Sequence, residues 1–431
     1  MLQSDSRKVK EGDTFIALKG YNEDGHKYID DAIKKGAKKI IAEHGSYSVP
    51  TLIVDSTNDY LDKYLKINNV NIKIIGVTGT NGKTTTCYLI YQLLNKLEVK
   101  CSYIGTLGYI VDDKLTNLDN TTPGSLELYY LLKDSLNHRC EYVVMEISSQ
   151  ALDQNRVNFI ELDYAIFTNL TRDHLDYHKT LDNYIDAKKK MFYLLKEDGI
   201  SLINNDDEYC DKFKIRNYKT YGFTNSDYTI NNDDYINGKK YNIPLLGHFN
   251  KYNILAALSV LFEMGYNYDN LYDLVSTLKE PSGRMEVINS GTNKIIVDYA
   301  HTPDAMINII SASKELMPNR IITIIGCGGN RDKGKRKMMG MIATDYSDYV
   351  IFTSDNPRFE DPNAILRDIT ISLDKNNYEI KSNRENAIKR GIQLLTNNDI
   401  LLVLGKGHEK YQIVKDVKIS FDDKKIILEN I

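Results

Sequence analysis

The chain has 431 residues, 42% hydrophobic and 26% charged, with a net charge of −4, a balance that suits a soluble protein of two or three domains at roughly 150 residues each and gives no pointer to nucleic acid or an acidic membrane. No apolar run reaches the ~18 residues of a membrane span, and the polar start Met1-Leu2-Gln3-Ser4-Asp5-Ser6-Arg7 does not read as a signal peptide. The five cysteines, Cys87, Cys101, Cys140, Cys210 and Cys327, are odd in number and lack metal-ligand spacing, so they read as reduced thiols of a cytoplasmic protein.

Residues 1–71 alternate predicted strands at 14–18, 39–42 and 51–54 with helical stretches at 28–35 and 59–66. A longer block, 72–281, opens on the apolar β-branched run Ile72 to Val77. The Gly-rich stretch Gly79-Thr80-Asn81-Gly82-Lys83-Thr84-Thr85 follows, then an amphipathic run from Tyr88 to Leu97. Strand, Gly-rich turn and helix form the setting of a phosphate-binding loop. Backbone N–H groups and a helix N-terminus hold phosphates, Lys83 reaches the outer ones, and the Thr84 hydroxyl suits Mg²⁺. The spacing departs from the common pattern: the first Gly is expected at Val77, and Gly76 sits one residue further away.

Further strands of this block are predicted at 101–105, 142–146, 164–168 and 200–204, with helices at 126–136, 181–195 and 252–264; the polar stretch 231–241 reads as a surface turn. Pro281-Ser282-Gly283 is the strongest boundary signal. Over 282–431 strands at 294–298, 321–325, 349–353 and 400–404 alternate with helices at 303–316, 335–343, 364–373 and 384–395. Such alternation argues for parallel α/β sheets in every block.

Two predicted strands of the middle block end in residues that suit a metal. One runs into Glu146 and Ser148-Ser149, the other into Asn169-Leu170-Thr171-Arg172-Asp173-His174. Ligands of open α/β sheets bind beyond the carboxyl ends of the strands. Glu146 and His174 therefore fall on the edge that carries the phosphate loop, where Mg²⁺ matches carboxylate and phosphate oxygens. His174 is the less usual ligand.

These residues resemble the Mur ligases, the ATP-dependent amino-acid ligases of peptidoglycan precursor synthesis. The likeness spans almost the whole chain: Asp5-Ser6-Arg7, Gly79 to Thr85, Thr121-Thr122-Pro123, Glu146-Ile147-Ser148-Ser149, Asn169 to His174, Gly247-His248-Phe249-Asn250, Ser282-Gly283-Arg284, Asp298-Tyr299-Ala300-His301 and Gly405-Lys406-Gly407-His408-Glu409. Within the family it is similar to ligases joining a diamino acid to UDP-N-acetylmuramoyl-L-alanyl-D-glutamate. Asp355-Asn356-Pro357-Arg358 is the signature of the meso-diaminopimelate subtype.

The resemblance implies an α/β protein of three domains, each on a mainly parallel sheet. The first would bind the UDP substrate. The central one would be P-loop ATPase-like, and the C-terminal one Rossmann-like, binding the amino acid. It implies ATP and Mg²⁺, an acyl-phosphate mechanism, and a cytoplasmic monomer serving cell shape and division. Residue by residue, it puts Gly79 to Thr85, Asn250, Arg284 and Asp298 at ATP, and Thr84, Glu146 and His174 at Mg²⁺. Lys188, in Tyr184-Ile185-Asp186-Ala187-Lys188, would carry a carbamate, although Lys188-Lys189-Lys190 also reads as a solvated charge run. Lys83, Lys188, His174 and Glu146 would serve catalysis. Ser4, Ser6, Tyr21, Asn22 and Glu23 match the uridine end of the site. Thr121, Thr122, Ser148, Gln154 and Arg156 match the muramoyl-dipeptide contacts. Arg331, Asp355, Asn356, Pro357, Arg358, Gly405 and Glu409 match the amino-acid pocket.

Two departures from the family stand out. Gln150 occupies a position where the family usually has His, and the first block starts late, lacking roughly one leading helix and strand, which would weaken uridine-nucleotide binding. Three other readings stay open: a ligase of this class adding L-lysine or another amino acid, a folylpolyglutamate synthetase-like ligase, and a nucleotide switch protein that ligates nothing. The second usually follows the loop Lys with Gly-Ser, where this chain has Thr84-Thr85.

Overall fold

A computed structural model describes residues 1–20, 23–68 and 70–431. The first sheet, in the order β1-β2-β3-β4, comprises β1 (Leu2–Gln3), β2 (Thr14–Ile16), β3 (Lys39–Ala42) and β4 (Thr51–Ile53), all parallel. Helix α1 (Ile29–Lys34) covers one face, with Phe15, Ile29, Ala32 and Ile40 in its core; α2 (Thr57–Ile67) covers the other. Ile16, Ile41, Leu61 and Leu65 belong to a core shared with the next sheet. This shared burial docks the first sheet on the second, because removing apolar surface from water is the main cohesive term. The Tyr130 hydroxyl adds to the joint, accepting from Leu2 N at 3.1 Å and donating to Leu2 O at 2.9 Å.

The central sheet begins with β5 (Lys73–Thr78), followed by α3 (Lys83–Lys96), the meander β6 (Cys101–Gly105), β7 (Gly108–Val111) and β8 (Lys114–Thr116), and α4 (Ser125–Asn137). Next come β9 (Tyr142–Glu146), α5 (Ser149–Asp153), β10 (Leu162–Phe167), α6 (Leu175–His178), α7 (Leu181–Lys189) and β11 (Leu195–Asn204). The far edge holds β12 (Tyr218–Gly222), β13 (Tyr228–Thr229) and the hairpin β14 (Tyr235–Ile236) and β15 (Lys239–Lys240), then α8 (His248–Glu263) and α9 (Tyr268–Val275). The strand order is β13-β12-β11-β10-β5-β9-β6-β7-β8, parallel except for the β6-β7-β8 meander. With helices on both faces, β5 and β9 are buried on both sides, which is why they read as near-continuous β-branched runs. Residues Ile254 to Leu261 of α8 are buried all round, between the sheet and α3.

The third sheet comprises β16 (Glu286–Ser290), β17 (Asn293–Asp298), α10 (Pro303–Lys314), β18 (Ile321–Ile325), α11 (Gly334–Tyr346), β19 (Tyr349–Phe352), α12 (Pro362–Thr370), β20 (Tyr378–Ile380), α13 (Arg384–Leu394) and β21 (Ile400–Leu404). A hairpin of β22 (Tyr411–Val414) and β23 (Val417–Ser420) and the helix α14 (Asp423–Leu428) close the chain. Its order is β16-β17-β21-β18-β19-β20, parallel apart from β16.

Four readings of local structure are corrected. The helix expected over 181–195 ends at Lys189 and passes through a 3₁₀ turn, Lys190–Leu194, into β11. The stretch 231–241 is a hairpin, not a plain surface turn: Ile236 and Tyr241 are 1% exposed and join the core around α8. Helix α3 starts at Lys83, five residues before its apolar run, so Lys83 is its first residue. The antiparallel additions β6-β7-β8, β16 and β22-β23 were not anticipated; their short strands alternate too briefly to read.

Candidate active site

The phosphate loop joins β5 to α3 and is shaped by two glycines. Gly82 has φ +83°, and Gly79 lies so close to its neighbour that a Cβ would stand 1.9 Å from Thr168 Oγ1; only glycine fits either place. Asn169 fastens the loop, its carbonyl accepting from Thr80 N at 2.8 Å and its Oδ1 from Asn81 N at 2.9 Å. The Lys83 ammonium folds back, donating to the Gly79 and Thr80 carbonyls at 2.8 Å each. Burial holds its pKa below the ordinary lysine value.

Lys188 reaches the same spot. Its ammonium donates to the Gly79 carbonyl at 2.7 Å and stands 4.4 Å from the centre of the Tyr184 ring. It is 1% exposed, whereas the Lys189 and Lys190 side chains are 27% and 44% exposed and pair with Asp186 and Asp153. The charge run is thus split: two lysines are solvated and one is sealed. Burial, then the nearby Lys83, drives the Lys188 pKa well below its ordinary value.

Glu146, wholly buried at the end of β9, receives a ring of donors. Tyr103 Oη donates to Oε1 at 2.5 Å and Thr106 N to the same oxygen at 2.8 Å. Thr84 Oγ1 and Thr106 Oγ1 donate to Oε2 at 2.9 and 3.1 Å. Arg284, from the third block, donates to Thr84 Oγ1 at 3.1 Å. Thr106 Oγ1 also lies 3.1 Å from Thr121 Oγ1, and Thr122 Oγ1 donates to the Glu146 carbonyl at 2.8 Å. Arg156 donates to Thr122 O at 3.1 Å and to Gln154 Oε1 at 2.9 Å, while Ser148 caps α5 through Ala151 N. The five residues matched to the muramoyl-dipeptide therefore gather in one polar wall beside Glu146. Next to them, His178 Nε2 stands 2.9 Å from Ser149 Oγ, so an imidazole lies close to Gln150 although Gln150 itself is not one.

His174, at φ +54°, is the residue just before α6. Burial lowers its pKa to about 3, so the ring is neutral and free to ligate a metal. Asp173 beside it approaches His174 Nε2 at 3.5 Å, Lys335 at 3.6 Å and His301 Nε2 at 3.8 Å. Burial opposes its ionisation, yet the surrounding charges and hydrogen bonds hold its carboxyl well below the usual range. Among the described residues, no three His, Cys, Asp or Glu side chains cluster as a metal site; the expected donors are Thr84, Glu146, His174 and a modified Lys188.

Two cavities flank this cluster. The larger, 290 Å³, is walled by Asn81, Gly82, Thr85, Asn250, Arg284 and Asp298 among others. Asn250 is pinned there, donating to Leu246 O at 2.8 Å and accepting from Asn253 Nδ2 at 2.9 Å. Both Asp298 oxygens are already engaged, by Met285 N at 2.7 Å and Ala300 N at 2.6 Å, so this carboxylate braces the backbone as well as lining the cavity. The smaller cavity, 130 Å³, is lined by His174, Arg331, Asp355, Asn356, Arg358, Gly405 and Glu409 among others. Arg358, at φ +50°, donates through one nitrogen to Gly329 O at 3.0 Å. Burial, then Arg331 nearby, lowers its pKa. Pro357 tightens the turn: a Cβ on Gly329 would meet its carbonyl oxygen at 1.9 Å.

Family models match along the chain: the Mur ligase family catalytic domain at 1–76, the Mur ligase middle domain at 77–261 and the glutamate ligase domain of Mur ligases at 283–407. The UDP-N-acetylmuramoyl-L-alanyl-D-glutamate--2,6-diaminopimelate ligase of Fusobacterium nucleatum is 43% identical, covering 99% of this chain and 92% of its own. The chain belongs to the Mur ligase family. The ligase of the same name from Parabacteroides distasonis is 39% identical over 99% of this chain and 93% of its own. A solved structure of that kind of ligase superposes with TM-score 0.65 at 34% identity, covering all of this chain and 94% of the other. The Thermotoga maritima MurF ligase in complex with ADP, 22% identical with TM-score 0.71 and covering 99% of this chain and 96% of its own, shares the fold. The chain is thus an ATP-dependent ligase of three Mur ligase domains, and no helix among the described residues is long and apolar enough to cross a membrane.

The loop, Glu146, His174 and Lys188 lie together, with the two cavities on either side. Ser4, Ser6 and Glu23 lie in the connections of the first block, where Ser6 is buried in a 3₁₀ turn and the exposed Glu23 accepts from Tyr28 Oη at 3.2 Å. Tyr21 and Asn22 lie outside the described residues. Sequence reasoning missed Asp173, Tyr103, Thr106, His301 and Lys335. Asp173 and His301 sat inside quoted motifs. Tyr103, Thr106 and Lys335 carried no local signal, because the carboxylates they meet, Glu146 and Asp173, are more than 30 residues away in the chain.

Proposed function

We propose that this ligase adds meso-diaminopimelate to UDP-N-acetylmuramoyl-L-alanyl-D-glutamate, converting ATP to ADP and phosphate, in peptidoglycan synthesis. One observation carries the reading: a single loop walls both cavities. Asn169 and Thr171 face the larger one and Asp173 and His174 the smaller. A nucleotide held by the phosphate loop and an amino acid held by Arg358 and Glu409 would thus meet across three or four residues.

In this reading a γ-carboxylate oxygen of the D-glutamyl group attacks the terminal phosphorus of ATP, releasing ADP. The amine of the incoming amino acid then attacks the acyl carbon, and phosphate leaves with the oxygen it took. Lys83 and the N-terminus of α3 bear on the transferred phosphoryl group, whose transition state needs placed charge above all. Asn250, Arg284 and Asp298 hold the nucleotide. Thr121, Thr122, Ser148, Gln154 and Arg156 orient the muramoyl-dipeptide, and Ser4, Ser6, Tyr21, Asn22 and Glu23 its uridine end. Residues 1–71, 72–281 and 282–431 thereby serve nucleotide sugar, ATP and amino acid respectively.

The donor set fits Mg²⁺, which would neutralise phosphate oxygens when bound. Thr84 and Glu146 already lie 2.9 Å apart, and the neutral His174 ring can ligate. Lys188 suits a carbamate because burial favours its neutral amine, the form that adds to carbon dioxide with loss of a proton. The anion so formed would also relieve the crowding of two lysines on the Gly79 carbonyl. We place the chain in the cytoplasm as a monomer, where its product would serve cell shape and division. Incubating it with ATP, the UDP-dipeptide and a panel of amino acids, and weighing the products, tests the assignment. The expected product is the meso-diaminopimelate tripeptide. A product formed only with another amino acid would overturn the specificity, and no product with any would overturn the reaction.

A further inference from the structure

Lys406 is 0% exposed, yet it does not line the smaller cavity. Its ammonium stands behind the wall, 2.8 Å from Glu409 Oε2, 3.2 Å from Asn356 Oδ1 and 5.6 Å from the centre of the Tyr411 ring. Glu409 and Asn356 do line the cavity, and Asn356 Nδ2 donates to the same Glu409 oxygen at 2.9 Å. Burying an ammonium is costly, and a well-packed apolar side chain commonly serves a fold as well. The cation is therefore better explained by what it does to the wall in front of it.

The cavity lining carries five carboxylates against three cationic side chains, Arg331, Lys335 and Arg358. Arg172, outside the lining, answers Asp332 at 3.4 Å, and the one negative charge still in excess would attract any ligand with net positive charge. A diamino diacid has two carboxylates and two ammonium groups and is neutral overall; L-lysine lacks one carboxylate and carries net +1. We propose that Lys406 is a specificity-determining residue, whose buried charge offsets Glu409 so that the cavity prefers a neutral diamino diacid to a cationic diamino acid. The proposal rests on the reading of this cavity as the amino-acid pocket. Lys406 acts through Glu409 and touches no substrate, so its mark is on the ratio of two substrates.

The test compares kcat/KM for meso-diaminopimelate and L-lysine in the wild-type chain, Lys406→Met, Glu409→Gln and the double variant, with melting temperature and ADP binding as checks of folding. In Lys406→Met the preference for the diacid falls by about tenfold or more, a fraction of what one charge a few ångströms away exerts inside a protein. In Glu409→Gln the unpaired Lys406 repels L-lysine and the preference rises; the double variant returns toward the wild-type ratio. An unchanged ratio in Lys406→Met, with KM for both amino acids raised alike, would mean a merely structural role and overturn the proposal. If Lys406→Met shows no melting transition, Glu409→Gln decides alone, and a ratio that fails to rise overturns it. A wild-type chain that ligates neither amino acid overturns the pocket reading and this proposal with it.

Discussion

At the scale of single residues, the lysines make the sharpest distinctions. Lys83→Ala removes a charge from the start of α3 and from no apolar core, so it is expected to leave the melting temperature near wild type and lower kcat by about 10²–10³-fold; near-normal turnover would refute the phosphate-loop role. Lys188→Ala is expected to abolish ligation, with partial rescue by a small exogenous carboxylate, while Lys189→Ala and Lys190→Ala stay within about twofold because exposed pairs such as theirs matter little. Equal losses at all three would point to general electrostatics. In the smaller cavity Arg358 spends one nitrogen on the Gly329 carbonyl, and a guanidinium binds a carboxylate through two parallel hydrogen bonds. Arg358→Ala is expected to raise KM for meso-diaminopimelate by an amount worth about 2–5 kcal/mol, with KM for ATP unchanged. A uniform loss across both substrates would deny it that role.

At the scale of elements, the third sheet shows what holds a site-bearing loop in place. Arg336 of α11, 1% exposed, grips Glu360 through two contacts of 2.9 Å and Asp368 of α12 at 2.8 Å. The Arg336 hydrogen bonds lower the Glu360 pKa from 4.5 to about 2. A carboxyl depressed on folding contributes stability above its unfolded pKa and loses it as pH falls through the folded one. The melting temperature is therefore expected to fall between pH 4.5 and 2, with a smaller acid slope in Glu360→Gln, which itself removes one of the two carboxylates holding Arg336 and costs about 1–3 kcal/mol at neutral pH, Asp368 keeping the cation partly paired. An acid slope identical in variant and wild type would remove Glu360 from the linkage. This network was not legible in the sequence, since charge on α11 reads as solvated face. By contrast β5, β9, β18 and β21 were legible, because strands buried on both faces must be apolar throughout. The end of α7 was misread because the 3₁₀ turn Lys190–Leu194 continues the apolar spacing of the helix.

At the scale of the whole molecule, the site exists only where blocks meet. Asn81 Nδ2 donates to Asp304 at 3.0 Å, Arg284 to Thr84, and Lys335 approaches Asp173, each pairing a phosphate-loop or metal-edge residue with the third block. The ordered motifs revealed the participants, but not that Asp173 would sit among cations from another sheet, because no local pattern encodes a partner so distant in the chain. The joint between nucleotide and amino acid is what distinguishes a ligase from a nucleotide switch. It is tested most directly by isotope transfer: the chain is incubated with ATP, meso-diaminopimelate and UDP-dipeptide labelled with oxygen-18 in the γ-carboxylate of its D-glutamyl group. The expected result is inorganic phosphate carrying one labelled oxygen, formed in step with tripeptide and only when all three substrates are present. Unlabelled phosphate, or release that ignores the UDP-dipeptide and the amino acid, would contradict it.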